Sequence, residues 1–201
     1  MMENPVVITL DIDWAPDFVI DAVAGILSDA GVAATWFATH PSGAVDRLRE
    51  NSLFELGIHP NLLPGSTQGA TVSEVMRYCL DIVPEAVCMR THAMVQSSPM
   101  LMQIMNETGI RADSSIFLPF MPNIAPVELR MDGKSLVRLP FYWADDNYMG
   151  FADQSWRPDE RIMDIPGMKI FTFHPIHVYL NSRDMTNYTK AKGAGPIAGL
   201  Q

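Results

Sequence analysis

Asp11 and Asp13 stand one residue apart in "TLDID", at the end of an apolar run from Val6 to Leu10. In a β-strand, residues i and i+2 point to the same face, so both carboxylates are expected to face one enclosed space. His40, Arg90, Asp113 and the remaining histidines, His59, His92, His174 and His177, also fall at or near the ends of apolar runs. Each alone has an ordinary reading, since a lone histidine there is usually structural and a lone aspartate usually a cap. Their accumulation at one kind of position points instead to a site. A carboxylate and imidazoles converging in a mostly apolar mouth suit zinc or another divalent first-row ion, which takes mixed nitrogen and oxygen ligands. A second carboxylate beside such an ion, but not bound to it, suits a general base for water.

The elements that must position these residues read as alternating strands and helices. After the opening strand, Asp17 can cap a helix whose stripe includes Val19, Ile20, Val23, Ile26 and Leu27, with Gly31 as its stop. Strands are expected over 32–40, 53–59, 86–92 and 110–115, with helices over 43–51, from Thr71, where "TVSE" fits a capping box, and over 97–109, where Ser98 is read as the cap and Pro99 as the first residue. Alternation at this spacing argues for βαβ units, hence an α/β barrel or doubly wound parallel sheet. Such folds place their sites at the C-terminal ends of the strands, where the titratable residues lie. Further on, 118–126 reads as a proline-rich loop, a hairpin turns at Asp132-Gly133, and a late strand begins within 168–180.

The chain has 201 residues, enough for one sizeable domain. Its 14 Lys and Arg against 23 Asp and Glu give a formal charge of −9, which repels phosphate backbones and argues against a nucleic-acid partner. The first ten residues lack the basic and apolar regions of an export signal, and no apolar stretch approaches the roughly 20 residues of a membrane span. A cytoplasmic protein is expected, with Cys79 and Cys88 as reduced thiols. Oligomeric state leaves no trace in the sequence.

The same residues, taken in order, resemble the polysaccharide deacetylases of the NodB-homology type, carbohydrate esterase family 4, and among them the divergent WbmS-like branch linked to surface-polysaccharide genes. "TLDID" resembles the first motif, which implies Asp11 as catalytic base and Asp13 as metal ligand. "ELGIHPNLLPGS" resembles the second, with His59 as a ligand. "MRTH" resembles the third, with Arg90 orienting the base, and "FTFHPIH" the last, with His174 as general acid. The resemblance runs from about residue 6 to 181. It implies α/β architecture as a distorted (β/α) barrel of about seven parallel strands, and a hydrolase that removes an acetyl group from an N-acetylated sugar in surface-polysaccharide biosynthesis, with a divalent metal, zinc first.

Two positions depart, Leu63 in the second motif and His92, which stands where the third motif usually has proline. The second histidine of the second motif falls on Leu63, which cannot bind a metal. His92, two residues from Arg90 and so on its face of a strand, can supply the missing ligand, ahead of His40, Asn61 or water. Two other readings stand beside this one, a metal-independent hydrolase of a non-sugar C–N bond and a carbohydrate-binding barrel without catalysis. Trp14, Phe141, Tyr142 and Trp143 serve either as a sugar-stacking wall or as core. Residues 1–201 are read as a single deacetylase-like catalytic domain that can be C-terminally incomplete, with 186–201 as a loose tail that has little to pack.

Overall fold

The opening apolar run, Val6–Asp11, forms strand β1, and its neighbours on both sides are parallel strands, as the βαβ spacing requires. In this computed structural model residues 4–151, 156 and 160–193 are described. After β1 come helix α1 (Asp17–Asp29), β2 (Ala34–Ala38), α2 (Gly43–Arg49), β3 (Phe54–Ile58), α3 (Val72–Ile82), β4 (Cys88–Met89), α4 (Ser98–Glu107) and β5 (Ala112–Asp113). The chain continues with β6 (Val127–Met131), β7 (Lys134–Arg138), β8 (Trp143–Ala144), α5 (Asp145–Tyr148), α6 (Glu160–Met163), β9 (Lys169–Phe173), α7 (Pro175–Tyr179) and α8 (Met185–Gly193). No helix is long and apolar enough to cross a membrane among the described residues.

Nine strands form one sheet in the order β6-β7-β5-β4-β3-β2-β1-β9-β8, antiparallel only between β6 and β7. The strand count exceeds the expected seven for a physical reason. β7 and β8 are the two ends of one stretch, 134–144, interrupted by Pro140, which cannot donate to a ladder. One edge of this stretch lies on β5, with Ala112 opposite Val137, and on the residues after β5, where Leu118 N–H donates to Phe141 O at 3.0 Å and Phe141 N–H to Ile116 O at 2.8 Å. Its other edge lies on β9, through Tyr142 N–H to Ile170 O at 2.8 Å and Trp143 opposite Phe171. The hydrogen bonding therefore returns to its start, and the sheet curls into a distorted α/β barrel of seven strand positions with β6 as an appendage. The β6–β7 hairpin turns at Asp132 and Gly133, both at positive φ (49° and 76°), which such two-residue turns demand.

The main core lies between sheet and helices. Val19, Ile20 and Val23 of α1, Leu48 of α2, Val75, Met76 and Cys79 of α3 and Leu101, Ile104 and Met105 of α4 bury the stripes that face β1 to β4. Each such side chain contributes about 1.5–3 kcal/mol on burial. A second cluster gathers Phe141, Tyr142 and Trp143 with Ile162, Met168 and Ile170. Thr71 caps α3 with a full capping box, its side chain accepting from Glu74 N–H while Glu74 returns to Thr71 N–H.

Several local expectations are corrected. Asp17 does not cap α1, which Pro16 precedes; its carboxylate accepts instead from Ser42 Oγ at 2.6 Å and Ala44 N–H at 3.1 Å, and so serves the start of α2. Ser97, not Ser98, caps α4, because its hydroxyl is the one placed to accept from Met100 N–H. β4 and β5 are two residues long rather than seven and six. The tail read as loose from residue 186 is helical over Met185–Gly193, with Tyr188 packed at 5.0 Å on the His177 ring; residues 194–201 lie outside the described residues. Cys79 and Cys88 are free thiols, both buried.

Candidate active site

Asp11 is the last residue of β1 and is buried, whereas Asp13 lies beyond it in a turn where Asp13 and Trp14 both adopt left-handed backbone (φ 38° and 56°). The two acids reach one cavity, but through this turn rather than by strand alternation. Non-glycine residues held there cost free energy and persist only where the surroundings over-determine them. Here Trp14 N–H donates to Thr39 Oγ1 at 3.1 Å and Ala15 N–H to Ile12 O at 2.7 Å. His59 follows β3, with its N–H on Ala38 O at 2.8 Å. Arg90 follows β4, and His92 opens a 3-10 turn, His92–Met94, with its N–H on Pro60 O at 2.9 Å. His174 follows β9 and precedes α7.

Asp11, Asp13, His59, Arg90, His92 and His174 all line one cavity of about 180 Å³ at the C-terminal ends of the strands. Arg90 is buried, and its Nη1 donates to Asp11 Oδ1 at 2.9 Å and Thr9 Oγ1 at 3.0 Å. Its guanidinium lies between the rings of Phe37 (4.7 Å) and Phe141 (4.8 Å), a favourable setting for a desolvated cation. A Cβ at Gly57 would stand 2.7 Å from the Phe37 ring, so glycine there lets that ring keep its place beside Arg90.

Asp13 Oδ1 stands 3.2 Å from His59 Nε2 and 3.1 Å from His92 Nδ1, and the two nitrogens are 3.3 Å apart. Bonds of about 2.0 Å to a tetrahedral ion put neighbouring ligand atoms about 3.3 Å apart, so this triangle has the size of one face of a zinc site. The other nitrogen of His59, Nδ1, is buried without a hydrogen-bond partner and lies 3.8 Å from Asp11 Oδ1. A ligating histidine ordinarily directs its second nitrogen toward a carboxylate or carbonyl, and this ring is so disposed. The donor set therefore fits a divalent ion, with Asp13, His59 and His92 as the residues that can hold it.

His174 faces the same carboxylate from the other side, with Nε2 3.4 Å from Asp13 Oδ2 and Nδ1 2.6 Å from Asp145 Oδ1, while its backbone N–H donates to Asp145 Oδ2 at 2.8 Å. Burial opposes a charge on His174, but the Asp145 and Asp13 carboxylates outweigh it and hold its pKa well above the ordinary histidine range. Burial likewise works against charge on Asp13, yet hydrogen bonds from His174, His59 and His92 keep its carboxyl well below the usual range. The hydrogen bond to Asp13 raises the pKa of His92 against a smaller effect of burial.

Other candidates stand apart from the cavity. His40 Nδ1 is 2.8 Å from Thr39 Oγ1, and Asn61 Oδ1 accepts from Leu63 N–H, neither lining it. Leu63 borders a separate cavity with Thr71 and Met100. Asp113 is tied to Arg138 and Ser115, and His177 packs behind His174 with its rings 5.6 Å away. Of the four aromatics considered for a sugar wall, Tyr142 and Trp143 are core, buried in the second cluster with Met168 and Ile170; Phe141 lines the cavity, and Trp14 is half-exposed with its ring edge-on to His92 at 5.3 Å. Asp145 escaped notice in the sequence. The available signal was a pair of acids directly after the apolar "FYWA", the strand-end position that marks the other residues.

The WbmS-like polysaccharide deacetylase family matches residues 8–192. Among solved structures, a protein from Bordetella bronchiseptica, described as a polysaccharide deacetylase involved in O-antigen biosynthesis, is 31% identical with a TM-score of 0.87, over 98% of this chain and 82% of that one. The polysaccharide deacetylase Bc1974 from Bacillus cereus is 12% identical with a TM-score of 0.50, over 88% and 82% of the two chains. A mutant of BA3943, a family 4 pseudoenzyme of Bacillus anthracis with restored activity, is 16% identical with a TM-score of 0.50, over 96% and 64%. At such identities these last two show the fold alone. No curated protein matches. A curled barrel, a cavity at its strand ends and a match spanning nearly all of the chain agree, and the chain belongs to the WbmS-like polysaccharide deacetylases, hydrolases of amide bonds.

Proposed function

We propose that this chain is a metal-dependent deacetylase of an N-acetylated sugar, acting in surface-polysaccharide biosynthesis. The observation that carries the reading is the triangle of Asp13 Oδ1, His59 Nε2 and His92 Nδ1, with Asp11 and His174 in the same cavity. A divalent ion held there, zinc by its two nitrogen donors and one oxygen donor, supplies Lewis-acid polarisation and a lowered water pKa. The Bordetella relative's described role in O-antigen biosynthesis supports the biological setting.

The side chains divide the proton transfers. The contacts of Asp11 with Arg90 and His59 both fall on Oδ1, so Oδ2 is the atom assigned to take the proton of the attacking water. Arg90 fixes that carboxylate in orientation. His174, held protonated by Asp145 and Asp13, delivers a proton to the leaving amine, which is a poor leaving group until protonated. Phe141 excludes water from the Arg90 side of the cavity.

The test is acetate release from N-acetylhexosamines, free and nucleotide-linked, with chelated protein and after return of zinc. Activity that disappears with chelation and returns with zinc is expected. Activity indifferent to chelation would favour metal-independent C–N hydrolysis, and sugar binding without turnover would favour a barrel that only binds.

A further inference from the structure

β5 runs out into Ser114 and Ser115, two buried neighbours that line no part of the cavity yet hold the segment bearing Arg90 and His92. Ser114 serves Arg90 twice. Its carbonyl accepts from Arg90 Nε at 2.9 Å and its hydroxyl from Arg90 Nη2 at 2.9 Å, leaving Nη1 for Asp11. Ser115 serves the next residue, its hydroxyl accepting from Thr91 N–H at 2.8 Å. That hydroxyl is itself oriented, because its proton goes to Asp113 Oδ1 and Asp113 Oδ2 accepts from Arg138 Nε at 2.5 Å.

His92 depends on such support. β4 ends at Met89, so strand geometry does not place the ring, and Ala93 and Met94 beyond it are both left-handed (φ 52° and 57°). A strained turn keeps its shape only while its surroundings over-determine it. Hydrogen bonds on Thr91 N–H and His92 N–H supply that constraint.

We propose that Ser114 and Ser115 are positioning residues with separate clients. Ser114 fixes Arg90, and through it Asp11; Ser115 fixes the Thr91 amide, and through it the His92 ring as the third metal ligand. The assignment of Ser115 rests on the metal reading above. Had both serines only filled core and satisfied polar groups, their loss would lower stability without sorting between the two clients.

The experiment uses the full chain and two readouts that need no substrate, zinc affinity by competition with a chromophoric chelator and, by NMR, hydrogen exchange of the Arg90 Nη2 protons, which the Ser114 hydroxyl accepts. Ser115→Ala is expected to weaken zinc about 10- to 100-fold, the usual scale for outer-shell support of a ligand, with Arg90 exchange unchanged. Ser115→Thr, which keeps the hydroxyl, restores affinity. Ser114→Ala leaves zinc affinity unchanged and speeds Arg90 exchange on the order of tenfold, what one hydrogen bond to a charged group is worth. Should Ser115→Ala not fold, Ser115→Cys makes the same test with a weak acceptor of similar size. A folded Ser115→Ala or Ser115→Cys that binds zinc as tightly as wild type, or Ser114→Ala and Ser115→Ala moving both readouts in parallel, overturns the proposal. Absence of zinc binding by the wild-type protein overturns the metal reading and the Ser115 assignment together, and shows itself before any substitution is made.

Discussion

His92 Nδ1 stands 3.3 Å from His59 Nε2, although the two residues are 33 positions apart and leave different strands. Family motifs of the H-x3-H kind draw two imidazoles from one loop. In this chain the imidazole beside His59 comes from the segment after the next strand of the barrel, while position 63 holds leucine.

Removal of His92 tests that exchange. His92→Ala should weaken zinc binding by at least about 10-fold, and a compensating Leu63→His should not restore it, because Leu63 lies in a loop that borders another cavity. Metal analysis after dialysis against a weak chelator reads both. Recovery of zinc in the double variant would return the ligand to position 63.

The two acids of "TLDID" should fail differently. Asp13→Ala is expected to lose metal, since it removes a charged bond that water replaces poorly. Asp11→Asn should keep metal while turnover falls about 10²–10⁴-fold, the usual contribution of a general base. Asparagine can still accept from Arg90, so folding survives. Equal loss of metal in both variants would mean that the proposed roles are not divided.

Asp145 should govern the alkaline limb of the pH profile. A general acid works in its protonated form, and the pKa of His174 is raised, so activity is retained above the ordinary histidine range and lost as pH rises through the raised value. Asp145→Asn removes an opposing charge and should move that loss to lower pH. The same sign holds for stability: the ion pair stabilises fully below the unfolded-state pKa of histidine and fades as pH rises through the folded one. An alkaline limb unmoved by Asp145→Asn would remove His174 as the acid.

Cys79 and Cys88 offer a check on the barrel itself. Burial pushes both thiols up to about 12, and thiolate is the reactive form. Neither should react with an aromatic disulfide reagent at neutral pH until denaturant unfolds the chain, when both should react within one cooperative transition. Rapid labelling of the native protein would show that the helix–sheet layer opens locally.

The sequence made the rim legible because polar residues at the ends of apolar runs are conspicuous, and Asp11, His59, Arg90 and His174 needed only correct strand ends. Asp13 and His92 were located on a strand rule that the backbone does not follow, since both sit in turns of left-handed geometry set by tertiary hydrogen bonds. Asp145 was hidden because β8 is two residues long and its partner His174 lies 29 positions away. The barrel of about seven strands was implied by the resemblance, but the strand that closes it was not read from the residues themselves, because Pro140 splits it into two.

The spacing of the three candidate ligands also changes what an ion would do mechanically. A pair four residues apart stitches a single loop, whereas His92 lies 33 positions from His59 and 79 from Asp13. Closing a 33-residue span rather than a 4-residue one removes about 2 kcal/mol more of chain freedom from the unfolded state. An ion here would act as a clasp on the circumference of the barrel, joining β1, β3 and β4 at their open ends, so its occupancy should be felt in the unfolding of the whole ring.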